Sequence, residues 1–336
     1  MLHEALSSAD VVAEQRVHAG EKLERLAERL REKPRALVLT VARGSSDHAA
    51  SYFAYLVMRR LGVPVVSLPM SLVTLHKAPL AVAGQLAVAI SQSGQSPDLV
   101  ETMAGLAGAG AITAAFVNSK GSPLARTCEW VVPLCAGVER SVAATKSYIA
   151  ALAAVARLVA HWERDRRLLE ALATLPERLS IAARMDGAAA IEALARTERA
   201  MIVGRGLGFA VALEAALKLK ETCAIQAEAF SSAEIRHGPM ALVEEGYPLL
   251  VFALRGAEQA GLIELARDLR GRGARVILAA PADIDERDVT LAVADSEVLD
   301  PILAIQTFYV IAARVAEARG QNPDVPRHLS KVTCTR

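Results

Sequence analysis

Leu86-Ala87-Val88-Ala89-Ile90-Ser91-Gln92-Ser93-Gly94-Gln95-Ser96 passes from an unbroken apolar run into a cluster of hydroxyls, carboxamides and a glycine. The run Leu86–Ile90 has the length and composition of a buried strand. The pattern from Pro97 to Leu106 is helical. The polar cluster therefore lies between the end of a strand and the start of a helix. A helix start offers unpaired backbone N–H groups and a partial positive charge. Hydroxyls beside those groups, and a glycine that lets the backbone close in, make a pocket for a small anion, phosphate above all. A helix cap needs one serine; this segment holds three, with glutamine and glycine between them.

The surrounding pattern is written twice. Ala36-Leu37-Val38-Leu39-Thr40-Val41-Ala42-Arg43-Gly44 is a strand ending in Arg-Gly, and Ala200-Met201-Ile202-Val203-Gly204-Arg205-Gly206 repeats it 162 positions later. Small-residue helices follow, Ser46 to Leu61 and Gly208 to Glu221. Then come Leu75-His76-Lys77-Ala78-Pro79 and Ile235-Arg236-His237-Gly238-Pro239. A second pair of strands (Leu86–Ile90, Leu249–Leu254) and a third (Ala111–Val117, Arg275–Ala279) complete the match. Strands alternating with helices predict parallel sheets covered on both faces, and uninterrupted apolar strands fit that burial.

The expected fold is α/β: two doubly wound, five-stranded parallel sheets flanked by helices. Residues 1–165 are read as a first domain, 166–195 as a helical linker, 196–320 as a second domain and 321–336 as a C-terminal tail. Ligands of such folds sit at the carboxyl ends of strands. Arg43-Gly44-Ser45-Ser46-Asp47 and the Ser91 loop both fall there. The second copy has Gly206-Leu207-Gly208 and Arg255-Gly256 at these places and has lost the hydroxyls, so only the first half is expected to hold phosphate.

Composition narrows the classes. The chain of 336 residues is 53% hydrophobic and only 4% aromatic, so its cores are built from Ala, Leu and Val. A net charge of +1 leaves no electrostatic footprint for nucleic acid. Glu4 and Asp10 interrupt the N-terminus before a signal peptide's apolar core can form. No uncharged apolar stretch is long enough to cross a membrane; Tyr148 to Trp162 comes nearest, carries Arg157 and reads as a buried helix. Cys128, Cys135, Cys223 and Cys334 lack CxxC spacing and fit reduced thiols of a cytoplasmic protein rather than a zinc site.

The tandem halves, Gly44-Ser45-Ser46 and Ser91-Gln92-Ser93-Gly94 resemble the sugar isomerase (SIS) domain family, and within it the isomerase portion of glucosamine-6-phosphate synthase. The likeness extends over Leu213-Glu214-Ala215-Ala216-Leu217-Lys218-Leu219-Lys220-Glu221, Ala227-Glu228-Ala229-Phe230, Glu234-Ile235-Arg236-His237-Gly238-Pro239 and the tail Pro326-Arg327-His328-Leu329-Ser330-Lys331-Val332-Thr333. The resemblance implies a proton-shuttling base at Glu221, a ring-opening His237 that serves the neighbouring subunit of a homodimer, and an active-site lysine at Lys331. It also implies phosphosugar contacts from Gly44, Ser45, Ser46, Ser91, Gln92, Ser93, Ser96, Val142 and Lys218, with no metal or organic cofactor. Glu214, Lys218 and Glu221 share one helix face by spacing, which an ordinary surface ion pair would also explain.

Departures from the synthase pattern set the expected reaction. Gln95-Ser96-Pro97-Asp98 replaces Glu-Thr, Arg43 stands where Cys is usual, and Glu139-Arg140-Ser141-Val142-Ala143-Ala144-Thr145-Lys146 has Ala144 in place of Ser. These forms are similar to the stand-alone amino-sugar phosphate deaminases. The first cysteine is Cys128, so no glutaminase nucleophile lies near the start. The expected activity is glucosamine 6-phosphate plus water to fructose 6-phosphate plus ammonia. The alternatives are a synthase-like aminotransferase or isomerase acting on fructose 6-phosphate or on a galactosamine or fructosamine phosphate, and a phosphosugar-sensing regulator. The first 35 residues are too few, and not basic enough, for the DNA-binding module of such a regulator.

Overall fold

A computed structural model describes residues 1–331. Cys334, Val332 and Thr333, which the sequence reading singled out, lie outside the described residues. The chain forms two compact units, each with its own five-stranded, all-parallel sheet.

One unit comprises Asp10–Glu139, Lys146–Ala173 and, among the described residues of the tail, Ser330 and Lys331. Its strands are β1 (Val38–Val41), β2 (Val65–Ser67), β3 (Leu86–Ser91), β4 (Ile112–Val117) and β5 (Trp130–Pro133), in the spatial order β2-β1-β3-β4-β5. β1, β3 and β4 are buried at every position, as strands covered on both faces must be. On one face Leu39, Val41, Ala87, Ala89, Ala115 and Val117 pack with Leu99, Met103 and Leu106 of the helix Pro97–Gly108. Each leucine so buried is worth about 1.5–3 kcal/mol. The helices Ser45–Leu61 and Lys146–Glu163 also pack together in this unit.

The other unit comprises Met1–Ala9, Arg140–Thr145 and Thr174–Leu329. Its strands are β6 (Arg199–Gly204), β7 (Gln226–Ser231), β8 (Pro248–Phe252), β9 (Arg275–Pro281) and β10 (Val289–Leu291), in the order β10-β9-β8-β6-β7. Read from the other edge this is the same order as the first sheet. Met201, Val203, Leu249, Val251 and Leu278 pack with Leu262, Leu265 and Leu269 of the helix Gln259–Gly271, as their counterparts do in the first unit.

The units cut across the consecutive boundaries expected from sequence. The expected linker contributes the helices Arg166–Ala182 and Ala188–Ala195. From Thr174 onward it is part of the second unit, because Leu175, Leu179, Ala190 and Leu194 are buried there and Thr307 Oγ1 donates to Ala182 O. A polar surface composition hid an amphipathic helix pair. Tyr148–Trp162 is a buried helix, as expected. Among the described residues the helix long and apolar enough to cross a membrane is instead the segment Glu297–Ala318, and 89% of its apolar window is buried inside the protein. Cys128 and Cys223 are buried free thiols, and desolvation pushes them up to about 12 and about 11.

Candidate active site

In a sheet of order 2-1-3-4-5 the chain reverses direction of winding between the first and third strands, and ligands sit beyond their carboxyl ends. β1 and β3 are hydrogen-bonded neighbours with Val41 opposite Ala89. The Gly44 turn and the Ser91 loop therefore emerge side by side. Gly44 takes φ 55° and ψ −133° and opens the helix Ser45–Leu61; Ser96 opens the helix Pro97–Gly108. No side chain caps either helix at these positions. A cap bond thus does not account for the serines; Asp47 N donates back to Gly44 O and Leu99 N donates to Asp98 Oδ1, so the N–H groups of Ser45 and Ser46 are what the first helix start offers an anion.

The Ser loop is held by its own hydroxyls. Gly94 N donates to Ser91 Oγ at 2.9 Å, and Gln95 N donates to Ser93 Oγ at 3.3 Å. Gly94 has φ 62°, and a Cβ there would stand 2.3 Å from Ser122 Oγ and 2.9 Å from Val117 Cγ2. Gly94→Ala is accordingly expected to deform the loop and weaken phosphosugar binding by about tenfold or more, since the left-handed backbone alone costs an L-residue about 1–2 kcal/mol. Titration calorimetry checks this, and unchanged affinity would remove the loop from the site. Arg43 ties the two turns together: its Nε and Nη2 donate to the buried Asp98 Oδ2 at 3.3 and 2.9 Å.

The second unit holds a different chemistry. On the helix Leu207–Cys223, Lys218 Nζ donates to Glu221 Oε2 and lies 3.5 Å from Glu214 Oε1. Tyr309 OH donates to the same Glu214 oxygen at 2.9 Å. The side chains of Glu214 and Lys218 are 0% and 1% exposed, whereas Glu221 is 23% exposed. A surface ion pair would leave both partners in solvent. Here the cation and one anion are sealed in the core, and Glu221 is the member that reaches the surface.

Lys331 Nζ donates to Glu139 Oε2 at 3.0 Å. Glu139 is buried and also accepts from Ser147 Oγ at 2.7 Å and Ser147 N at 3.2 Å. A lysine near a chain end is ordinarily solvated, and this one is tethered. His237 lies in the short 3-10 turn Glu234–His237, exposed, its imidazole without a hydrogen bond to any described residue. Val142 N donates to Asp324 O at 3.1 Å.

The structure thus gathers Gly44, Ser45, Ser46, Ser91, Gln92, Ser93 and Ser96 at the ends of two adjacent strands. It joins Lys218 to Glu221. In the first unit it pairs Lys331 with Glu139. Three partners escaped the sequence reading as site residues: Glu139, Tyr309 and Asp98. Tyr309 had no signal, because it lies 95 positions from Glu214. Among the described residues no group of His, Cys, Asp or Glu could hold a metal ion.

This geometry defines a tandem α/β protein with a serine-rich loop at a helix start in one half and a buried, charged helix face in the other. The SIS domain family matches residues 30–160 and 193–280, and the chain belongs to it. The glutamine–fructose-6-phosphate aminotransferase (isomerizing) of Symbiobacterium thermophilum is 33% identical over 311 residues, which are 88% of this chain and 51% of that protein. The chain spans about half the length of the curated relatives it matches. A candidate phosphosugar isomerase from Silicibacter pomeroyi DSS-3 is 37% identical, with a TM-score of 0.92 over 96% of this chain and 99% of that one. The glucosamine-6-phosphate deaminase of Thermotoga maritima shares the fold at 24% identity, with a TM-score of 0.76 over 98% of this chain and 100% of that one.

Proposed function

We propose that the chain is an amino-sugar phosphate deaminase and isomerase that converts glucosamine 6-phosphate and water to fructose 6-phosphate and ammonia. The observation that carries the reading is Glu221, held by the buried Lys218 and the one member of the Glu214–Lys218–Glu221 cluster that reaches the surface. Kinship to an isomerizing aminotransferase and to a candidate phosphosugar isomerase supports sugar-phosphate isomerase chemistry.

In this reading the uncapped helix starts and serines of the first unit bind the phosphate, and that remote binding energy orients the reacting carbons. His237 opens the ring, a task that suits an imidazole because its ordinary pKa lies near neutrality. Glu221 takes the C2 proton of the open-chain aldose while O1 gains a proton, giving an enaminol. Protonation at C1 with loss of a proton from nitrogen gives the C2 imine. Water adds to C2, and the C–N bond breaks to release ammonia and the ketose. Lys331, placed by Glu139, acts on the same sugar.

The test is a time course of ammonia and fructose 6-phosphate from purified protein given glucosamine 6-phosphate without glutamine. Equal release of both is expected. Tight binding with no release would instead favour another substrate or a phosphosugar sensor.

His237, exposed and with its imidazole unbonded, fits a group that serves a partner subunit's site. Glu221→Gln and His237→Ala proteins, each inactive alone, are then expected to recover about a quarter of wild-type activity when mixed and allowed to exchange subunits. Half the dimers are hybrids and each regains one of two sites. No recovery after confirmed exchange would place His237 in its own subunit's site.

A further inference from the structure

The second sheet has its own switch point, and it is built on the same backbone. Gly206 takes φ 57° and ψ −133°, against 55° and −133° at Gly44. Glu258 opens the helix after β8 as Ser96 opens the helix after β3, and Gly256 precedes it as Gly94 precedes Ser96. The difference is charge. A Glu258 carboxylate oxygen lies 2.5 Å from where a Cβ on Gly206 would stand, and the other lies 3.2 Å from that of Gly256. The chain's own carboxylate therefore covers Gly206, whose counterpart Gly44 has nothing within 4 Å of such a Cβ.

Beside Glu258 lies a cavity of about 550 Å³, a volume that suits a small ligand. One wall is the helix face carrying Glu258, Gly261 and Glu264; Arg205, Ser232 and Arg236 stand on the turns after β6 and β7. Among the described residues no ion pair joins either arginine to either glutamate. Opposite charges that share a cavity without neutralising one another are suited to a ligand that carries both signs.

We propose that this cavity is a second ligand site, distinct from the Ser91 loop, which takes a small zwitterion: its ammonium group on Glu258 and Glu264, its oxyanion on Arg205 and Arg236. The chemistry fits an amino-sugar phosphate or a free amino acid.

Titration calorimetry with glucosamine 6-phosphate and with serine separates these two sources, and fructose 6-phosphate, which lacks the ammonium group, is the control. Only the first of these probes rests on the proposed function. The expected result is a binding event for one zwitterion that fructose 6-phosphate does not reproduce. It weakens about tenfold or more in Arg205→Ala and in Glu264→Gln, the range for losing a charged hydrogen-bond partner, and it survives in Gly94→Ala. Both altered residues are exposed, so both proteins should fold. Binding of neither zwitterion to the wild-type chain, or an event that persists in both variants, overturns the proposal. An Arg205-dependent event in a protein that releases no ammonia supports it and overturns the deaminase reading instead.

Discussion

Glu221→Gln is expected to reduce turnover of glucosamine 6-phosphate by about 10²–10⁴-fold, the contribution of a positioned general base, while leaving its affinity nearly unchanged. The substitution keeps the side chain's size and its acceptor oxygen toward Lys218, so the buried part of the helix is undisturbed. It removes only the capacity to take the C2 proton. In the proposed reading phosphate is bound by serines and helix starts of the other compact unit, remote in sequence from this helix. Ammonia release gives the rate and calorimetry gives the affinity. A variant with full turnover would remove Glu221 from the mechanism; one that lost affinity and turnover together would make it a binding residue.

Lys218→Met is expected to cost both activity and stability. Lys218 is 1% exposed and sits between Glu221 and a Glu214 that is 0% exposed. Methionine matches its length, keeps the Tyr309 hydroxyl on Glu214 and removes the Lys218 ammonium from it. Removing one partner of a buried pair costs about 3–5 kcal/mol, because the remaining charge is uncompensated. In a unit of this size that lowers the melting temperature by about 6–20 °C. Adding Glu214→Gln to Lys218→Met should recover much of the loss, since the stranded charge is then gone. A melting temperature equal to that of the wild type would show that solvent or rearrangement satisfies Glu214, and the sealed helix would lose its significance for Glu221.

The fold was legible in the sequence because its signals are local. Continuous apolar runs such as Leu86–Ile90 must be covered on both faces, and glycines after β1 and β6 are needed where the backbone takes positive φ. The repeat of the pattern after 162 residues fixed two such sheets. The Ser91 loop was legible for the same reason: its hydroxyls, glycine and helix start are consecutive residues. What the sequence left open depends on contacts between residues far apart in the chain. Lys218 could have been a surface ion pair, and only burial by the helix Asp300–Ala318, which brings Tyr309 to Glu214, seals it. The likeness of the tail marked Lys331, but its partner Glu139 lies 192 positions away and only packing brings the two together. Likewise, Glu258 was an unremarked residue until the strand order laid it over Gly206. Periodicity and turn chemistry act over a few residues and are written in order. Desolvation and ion pairing act through space, so they are decided only when the tertiary structure brings their members together.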